Sequence, residues 1–210
     1  MTTEGVCTIY LVRHGESQAN ANKIVQGHTD SPLTKIGEEQ AMRVAEELRN
    51  IEFSAIFSSD LGRSIRTAEI IRLQRNLEIR TSPMLREKSY GIFEGMDHAK
   101  FIETLRDEFN RFDNELTIEE RWNHKAHPSI ESDAEIHKRF TGYIKEIINS
   151  HIGETVLVVS HRMPIRLFLV SIECGMYENL RGGGLKNAGY AVLESNGQTF
   201  SVDGVFGKEM

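Results

Sequence analysis

The run TVLVVS at Thr155–Ser160 constrains the fold of this chain more than any other segment. It is rich in β-branched residues and does not alternate between apolar and polar positions, a pattern typical of a strand buried on both faces. Strands of that kind occur in parallel sheets that helices cover on both sides. The sequence therefore predicts that Thr155–Ser160 is an inner strand of an α/β sheet.

The other predicted elements alternate between strand and helix, which indicates a three-layer α/β/α fold with a mainly parallel central sheet. Residues 96–131 break this alternation, and we interpret them as a small, mostly helical insertion, or lid, over the active-site end of the sheet. The length of 210 residues fits one domain, which we take as 1–210. We predict strands at Cys7–Val12, Phe53–Ser58 and Leu77–Thr81, and helices at Thr34–Asn50 and Gly62–Leu73. A capping box of Ser132 and Glu135 predicts the start of a further helix, and another helix is predicted to start near Pro164. Asn187–Glu194 and Thr199–Val205 are predicted to form a hairpin that can add an antiparallel edge to the sheet.

The net charge limits the possible binding partners, and the cysteine content indicates the cellular compartment. The formal net charge is −6, so no overall positive field attracts nucleic acid or an acidic membrane surface, and an anion needs a local basic cluster. No apolar run approaches the ~18 residues of a membrane span, and no secretory signal pattern is present. For Cys7 and Cys174 we expect two reduced thiols in a cytoplasmic protein, with one disulfide as the alternative.

Three polar clusters directly follow three of the predicted strands. Because ligands of open α/β sheets bind beyond the carboxyl ends of the strands, neighbouring strands would bring two histidines and several arginines together. A neutral imidazole can attack phosphorus, and the arginine fork matches phosphate oxygens, so the pattern indicates a phosphate site. Glu87, after the third strand, can supply the proton that a leaving alcohol needs. The clusters are Arg13-His14-Gly15-Glu16-Ser17, Ser58-Ser59-Asp60-Leu61-Gly62-Arg63 and Ser160-His161-Arg162.

Four blocks of the chain, in order, resemble the motifs of the histidine phosphatase superfamily (branch 1), which includes cofactor-dependent phosphoglycerate mutase and fructose-2,6-bisphosphatase. The resemblance implies a phosphoglycerate mutase-like fold and a phosphohistidine intermediate, with a small phosphate ester as the partner and neither a metal ion nor a cofactor. Members of the family are often dimers, so the resemblance also leaves a homodimer open. The blocks are LVRHGESQAN with its continuation IVQGHTDSPLTKIGEEQA, FSSDLGRSIRTAEII, MLREKSYGIFEG and VLVVSHRMPIRLFL.

The resemblance implies a role for each matched position. His14 would be the phosphorylated nucleophile, and His161 would be the second histidine of the pocket. Glu87 would be the proton donor to the leaving group. The remaining positions would hold phosphate oxygens or line the site, and they are Arg13, Arg63, Asn20, Ser17, Gln26 and Gly27.

Arg162 departs from the family pattern, which usually has glycine after the second histidine. An arginine at the mouth of the pocket adds a fork of five donors. We therefore expect Arg162 to contact the substrate and to favour a second anionic group. The alternative is that its side chain turns outward and pairs with a surface acid.

Three other features could be given a functional role, but we favour a structural interpretation of each. Arg66 lies one helical turn beyond Arg63, and we interpret it as a surface residue. His124 and His127 lack a carboxylate or cysteine pattern around them, which favours a solvated loop over a metal pair. Gly182–Gly184 is not followed by a Lys-Ser/Thr pair, so a turn is favoured over a phosphate loop.

The sequence therefore predicts a metal-independent phosphomonoesterase that hydrolyses a small phosphorylated metabolite through a phosphohistidine. One alternative is a cofactor-dependent phosphoglycerate mutase, which Tyr90-Gly91 resembles. Residues 96–131, however, lack the longer insertion with paired arginines and a proline-rich stretch that such mutases carry. The other alternative is a weakly catalytic protein that binds a phosphorylated ligand, because Arg162 could narrow the pocket.

Overall fold

The computed structural model describes residues 5–172 and 184–208. In these ranges a six-stranded sheet has the order β3-β2-β4-β1-β5-β6. Strands β1 to β4 are parallel to one another, whereas β5 is antiparallel to both β1 and β6. The predicted α/β class and mainly parallel sheet with an antiparallel edge are confirmed. The strands are β1 Cys7–Arg13, β2 Ala55–Ser59, β3 Ile79–Ser82, β4 Thr155–Ser160, β5 Leu185–Ser195 and β6 Phe200–Lys208.

Strand β4 lies between β2 and β1, as its sequence predicts, and only its first residue is not fully buried. Its side chains alternate between two cores. Val156 and Val158 pack on one face of the sheet, and Leu157 and Val159 pack on the other. Both faces are therefore covered, which explains why an apolar residue is needed at every one of these positions.

Helices form the outer two layers. Helices α2 and α3 cover one face of the sheet, and α7 and α8 cover the other. Short 3₁₀ turns occupy Pro83–Leu85 and Gly91–Phe93. The helices of the described ranges are α1 Gln18–Ala21, α2 Lys35–Glu47, α3 Gly62–Arg72, α4 His98–Thr104, α5 Arg106–Asn114, α6 Ile118–Asn123, α7 Asp133–Ser150 and α8 Arg162–Ser171.

The helical insertion predicted at residues 96–131 contains α4, α5 and α6. It builds a small core of its own, which is separate from the two cores on the sheet. Aromatic edge-to-face contacts hold this core together, with ring centroids of Phe93 and Phe101 5.5 Å apart and those of Phe101 and Phe109 5.6 Å apart. The insertion is thus a packed unit rather than an extended loop.

The element boundaries differ from the prediction by one to three residues. Helix α8 begins at Arg162, two residues before Pro164. The helix tolerates this proline because, in the first turn, it removes only an N–H that has no helical partner. Cys7 is fully buried, and burial raises the pKa of its thiol to about 11. Cys174 lies outside the described residues, so the two reduced thiols stay a prediction. No helix in the described ranges has the length and hydropathy to cross a membrane.

Candidate active site

The two predicted histidines meet at the carboxyl end of the sheet. His14 follows β1, and His161 follows β4 as the N-cap of α8. The strands are in register there, with Arg13 opposite Ser160, and the His14 backbone N–H donates to the Ser160 carbonyl at 3.0 Å. The ring centroids of His14 and His161 lie 5.0 Å apart, and both side chains are buried. The predicted convergence is therefore present.

The tautomer of His14 follows from one hydrogen bond. Its Nδ1 lies 2.7 Å from the Gly15 carbonyl oxygen. A carbonyl only accepts, so Nδ1 carries the hydrogen and Nε2 holds the lone pair. Burial, together with the charges of Arg63 and Arg13, lowers the pKa of His14 well below its usual value. His14 is therefore a neutral imidazole with a nucleophilic Nε2 at neutral pH.

Gly15 fixes the turn that carries His14. Its backbone N–H donates to the Thr67 hydroxyl at 3.0 Å, and that hydroxyl donates to the Arg63 carbonyl at 2.7 Å. A Cβ atom at position 15 would collide with the Gly37 carbonyl oxygen, so the close approach of loop and helix requires glycine. His14 is thereby held by helices α2 and α3 as well as by the sheet.

His161 is positioned from helix α3. Its Nε2 lies 3.2 Å from the Ser64 hydroxyl, whereas its buried Nδ1 makes no hydrogen bond to any described residue. Burial first, then the charges of Arg63 and His14, lower the pKa of His161 well below its usual value. The site thus holds a second neutral imidazole with one nitrogen left for a ligand.

Arg63 is almost completely buried, at 1% exposure, and its terminal nitrogens hold the loop that precedes α2. Nη1 donates to the Thr29 carbonyl at 2.9 Å and to Asp30 Oδ1 at 3.0 Å, and Nη2 donates to the Gly27 carbonyl at 2.8 Å. Its Nε is buried and has no hydrogen-bond acceptor among the described residues. Arg63 therefore presents one N–H, not its terminal fork, to a ligand.

Arg13 and the loop after His14 complete this side of the pocket. Arg13 is buried, and its Nη1 donates to the Leu185 carbonyl at 2.6 Å. Asn20 Oδ1 accepts hydrogen bonds from the Ser17 backbone N–H at 3.1 Å and from Asn187 Nδ2 at 3.3 Å. With its oxygen occupied in this way, Asn20 keeps its NH₂ group for an anion.

Ser17 and Gln26 form the floor of that loop. Ser17 caps α1 and is fully buried. Its hydroxyl donates to Gln26 Oε1 at 3.0 Å, and the Ser31 hydroxyl donates to the same oxygen at 3.1 Å. The two predicted residues are thus close together, in contact with the loop rather than with the two histidines.

Glu87 lies over the first turn of α8. Its Oε1 accepts hydrogen bonds from the backbone N–H of Lys88 at 2.8 Å and of Met163 at 3.2 Å. Its carbonyl oxygen accepts a hydrogen bond from Arg139 at 2.8 Å and lies 3.0 Å from Nε2 of His28. The backbone N–H of Met163, two residues after His161, therefore anchors the carboxyl group of Glu87.

Arg162 follows His161 directly and is half-buried beside Gly184. Its side chain lines a cavity that also involves Met163 and Lys88, the two residues whose N–H groups bind Glu87. Arg162 thus faces the space next to the predicted proton donor.

The remaining candidates have partners outside the two-histidine pocket, although His124 also lines the cavity that Arg162 faces. Arg66 is half exposed and pairs with Glu38 at 2.9 Å, as predicted for a surface residue. Nε2 of His124 lies 3.5 Å from a glutamate carboxylate of α5, whereas Nδ1 of His127 lies 2.9 Å from a neighbouring serine hydroxyl. The two histidines thus have different partners. Gly182 and Gly183 lie outside the described residues.

The sequence analysis missed four residues that position the site. Ser64 and Thr67 hold His161 and the turn at Gly15, and Asp30 pairs with Arg63. Ser64 and Thr67 could have been predicted from the sequence of α3, because the helical period places them on the buried face between apolar residues. Arg139 could not, since it lies some fifty residues along the chain from the loop that it binds.

We expect the two histidines to make stability depend on pH. In an unfolded chain histidine titrates near 6.5, whereas burial and Arg63 lower both pKa values in the folded protein. The folded state binds fewer protons, so this contribution is complete above about pH 6.5 and is lost as the pH falls below it. From about pH 7.5 to about pH 5.5, each histidine should lower the free energy of unfolding by about 1.4 kcal/mol.

Urea unfolding in a buffer without phosphate or sulfate measures this loss. The His161→Gln variant should lose about 1.4 kcal/mol less than the wild type over the same interval. An equally steep decline in both proteins would contradict the buried neutral state of His161.

The sequence and the fold have known relatives. Residues 9–206 match the family model of the Histidine phosphatase superfamily (branch 1). The probable phosphoglycerate mutase GpmB of Cronobacter sakazakii is 37% identical over 167 residues, which are 78% of this chain and 74% of the relative. YhfR of Bacillus stearothermophilus has a TM-score of 0.82 and 31% identity, with 94% of this chain and 95% of that chain covered.

A mycobacterial glucosyl-3-phosphoglycerate phosphatase shares the fold with a TM-score of 0.80 and 24% identity, over 95% of this chain and 98% of that chain. The family match spans nearly the whole sequence, and the four motif blocks lie within it. The chain belongs to branch 1 of the histidine phosphatase superfamily.

Proposed function

We propose that this protein is a phosphomonoesterase that transfers a phosphoryl group to His14 and then to water. One observation carries the proposal. Two buried nitrogens, Nε of Arg63 and Nδ1 of His161, have no hydrogen-bond partner among the described residues, and both side chains lie close to the neutral ring of His14. Nε of Arg63 is a donor, and Nδ1 of His161 is one in the tautomer whose Nε2 accepts from the Ser64 hydroxyl. Buried polar atoms are rarely left without a partner, and phosphate oxygens are the acceptors that suit these donors.

In the first step, Nε2 of His14 attacks phosphorus. The N–P bond forms while the bond from phosphorus to the ester oxygen breaks, and the electron pair goes to the leaving oxygen. Glu87 donates a proton to that oxygen, so the alcohol leaves neutral. Arg13, Arg63 and His161 stabilise the charge on the three equatorial oxygens. The Gly15 carbonyl, 2.7 Å from Nδ1, stabilises the positive charge that develops on the imidazole.

In the second step, water attacks the phosphohistidine. The carboxylate of Glu87 takes a proton from the water, the N–P bond breaks, and its electron pair returns to Nε2 of His14. Inorganic phosphate and the neutral imidazole are regenerated, and Glu87 is again protonated for the next cycle. Arg13 and Arg63 supply the positive charge in both steps, so the proposed reaction needs no metal ion.

A phosphoglycerate mutase is the second candidate, because the relative from Cronobacter sakazakii is called a probable phosphoglycerate mutase. A mutase must keep the dephosphorylated product in place and return the phosphoryl group to it before water reacts. The cavity beside Glu87 is large, at about 650 Å³, and many of its described lining residues are apolar or aromatic. A small sugar acid fills little of this volume and contacts few of the apolar walls, which favours access of water and hydrolysis.

We expect the protein to hydrolyse p-nitrophenyl phosphate with multiple turnovers. The rate should be unchanged by EDTA, because the arginines replace a metal ion. Orthovanadate should inhibit, since it adopts the five-coordinate geometry of the transition state. Continuous absorbance assays of nitrophenolate measure all three effects.

A parallel assay with 3-phosphoglycerate and 2,3-bisphosphoglycerate separates the two candidate functions. Isomerisation faster than phosphate release would identify a mutase. Loss of turnover in EDTA, with recovery on addition of a divalent ion, would refute the proposed metal-free mechanism.

A further inference from the structure

A cavity of about 650 Å³ lies between the helical insertion and the first turns of α8. Its lining includes Lys88 and Met163, whose N–H groups bind Glu87, and Arg162, which follows His161. The cavity therefore adjoins Glu87 and His161 through their neighbours in the chain. Because Glu87 must reach the leaving oxygen, the remainder of the leaving group can extend from there into this cavity.

Half of the described lining residues that the insertion contributes are apolar or aromatic. Tyr90, Phe101 and Phe109 form a chain of edge-to-face contacts, with centroid distances of 5.5 Å and 5.6 Å. Burial raises the pKa of the Tyr90 hydroxyl, and the nearby carboxylates of Glu87 and Asp133 act in the same direction. A flat apolar group fits such walls well. The apolar and aromatic lining residues are Tyr90, Phe101, Ile102, Phe109, Phe112, Ala126, Ile130 and Met163.

The described lining is poorly suited to a polyol. It contains no serine or threonine hydroxyl and a single side-chain amide, that of Asn110. A sugar would have to replace the lost water mainly with hydrogen bonds to the charged side chains of the lining, and the apolar part of the wall would offer it none. An aromatic leaving group uses that part of the wall better than glycerate or hexose does.

Charged residues are distributed unevenly around the cavity. Lys88 and Asp133 pair with each other at 2.9 Å, and the guanidinium of Arg121 lies over the ring of Phe112 at 5.4 Å. Asp113 and Arg106 also line the cavity, from α5. On the α8 side, Arg162 and Arg166 lie one helical turn apart and both face the cavity. Among the described lining residues, five cationic side chains outnumber two carboxylates, although the chain carries a net charge of −6.

We propose that this cavity selects phosphate monoesters whose leaving group combines an aromatic ring with a second anionic group. The ring packs against the insertion, and the anion binds on the α8 side at Arg162 and Arg166. This inference deepens the proposed function and rests on it, since the cavity is read as the leaving-group site of the same reaction. It also gives Arg162, where the family usually has glycine, a specific partner.

Two matched substrates test the anion, and a third tests the ring. We would compare 4-(2-carboxyethyl)phenyl phosphate with its primary carboxamide, which has the same shape, a neutral tail and a nearly identical phenol. Glycerol 2-phosphate represents the polyols. The wild type should favour the carboxylate over the amide about tenfold in kcat/KM, and both aryl esters over glycerol 2-phosphate.

Two variants assign the effect to the cavity. Arg166→Gln should lower kcat/KM about tenfold on the carboxylate and less than about twofold on the amide. Phe112→Ala should lower kcat/KM on both aryl esters and leave glycerol 2-phosphate nearly unchanged. Arg49→Gln is the matched control, because Arg49 is an exposed arginine at the end of α2 that pairs with Glu46. Circular dichroism and melting curves verify that each variant is folded.

The outcomes separate this inference from the proposed function. Absence of turnover on every ester, p-nitrophenyl phosphate included, contradicts the phosphatase itself. Turnover of p-nitrophenyl phosphate with equal kcat/KM for the carboxylate and the amide overturns the anion site. A preference for glycerol 2-phosphate over the aryl esters overturns the aromatic leaving group. A carboxylate preference that survives in Arg166→Gln and Arg162→Gln excludes these arginines as its cause.

Discussion

The His14→Ala variant is expected to lose phosphatase activity by at least roughly 10³-fold in kcat/KM. The side chain supplies a nitrogen lone pair whose place on Nε2 is fixed, because Nδ1 lies 2.7 Å from the Gly15 carbonyl oxygen and carries the hydrogen. The buried ring stays neutral at neutral pH, so the wild type does not depend on another group to deprotonate it. Initial rates with p-nitrophenyl phosphate measure the loss.

Trapping of the intermediate makes the same prediction specific. A phosphohistidine is stable in base and labile in acid, so a quench at high pH after mixing with ³²P-labelled substrate should leave label on His14. His137→Gln is the matched control, since that half-buried histidine packs against Trp122 away from the pocket and should retain full labelling. Label on a different residue, or wild-type activity in His14→Ala, would contradict the mechanism.

The sequence predicts those site residues whose positions follow from the order of the strands in the sheet. An uninterrupted β-branched run has to be an inner strand, and β4 is one. Once β1 and β4 are neighbours in register, the residues that follow them must meet, which brings His14 and His161 together. Local pattern and sheet topology thus suffice for the central pair.

The orientation of Arg63 could not be predicted in this way. The sequence places it at the start of α3, but which of its nitrogens faces the phosphate depends on the loop at residues 27–30. That loop accepts three hydrogen bonds from the terminal nitrogens, so Nε is the donor that remains. A long side chain with five donors is oriented by whichever acceptors the tertiary structure provides.

The support of Glu87 is also a product of tertiary structure. Arg139 on α7 donates to the backbone carbonyls of Met84, Arg86 and Glu87 and pairs with Glu131 at 2.7 Å. Glu94 holds the opposing loop: burial alone would raise the pKa of its carboxyl, but hydrogen bonds from His28, Thr29 and Tyr90 outweigh burial and lower it. Arg139 belongs to no local pattern, and although Glu94 lies in the block MLREKSYGIFEG, the sequence does not show which loop its carboxylate holds.

The Glu87→Gln variant is expected to separate substrates by their leaving groups. The amide can still accept the hydrogen bonds from the Lys88 and Met163 N–H groups, so the side chain should keep its place, but it has no proton to give. An alkyl ester such as glycerol 2-phosphate needs that proton, and its kcat/KM should fall roughly 10²-fold or more. The loss on p-nitrophenyl phosphate should be below roughly tenfold, because nitrophenolate leaves as a stable anion.

Glu131→Gln is the matched control for a carboxylate in the same region. It weakens the partner of Arg139 and so loosens the loop that carries Glu87, without removing a proton donor. We expect it to lower kcat/KM on both esters by a similar factor, because a misplaced loop affects binding of every substrate. The two variants should therefore differ in the ratio of kcat/KM between the two esters. Glu87→Gln should change this ratio, whereas Glu131→Gln should leave it close to that of the wild type. A similar ratio in both variants would remove Glu87 from the role of proton donor and leave it as a cap on α8.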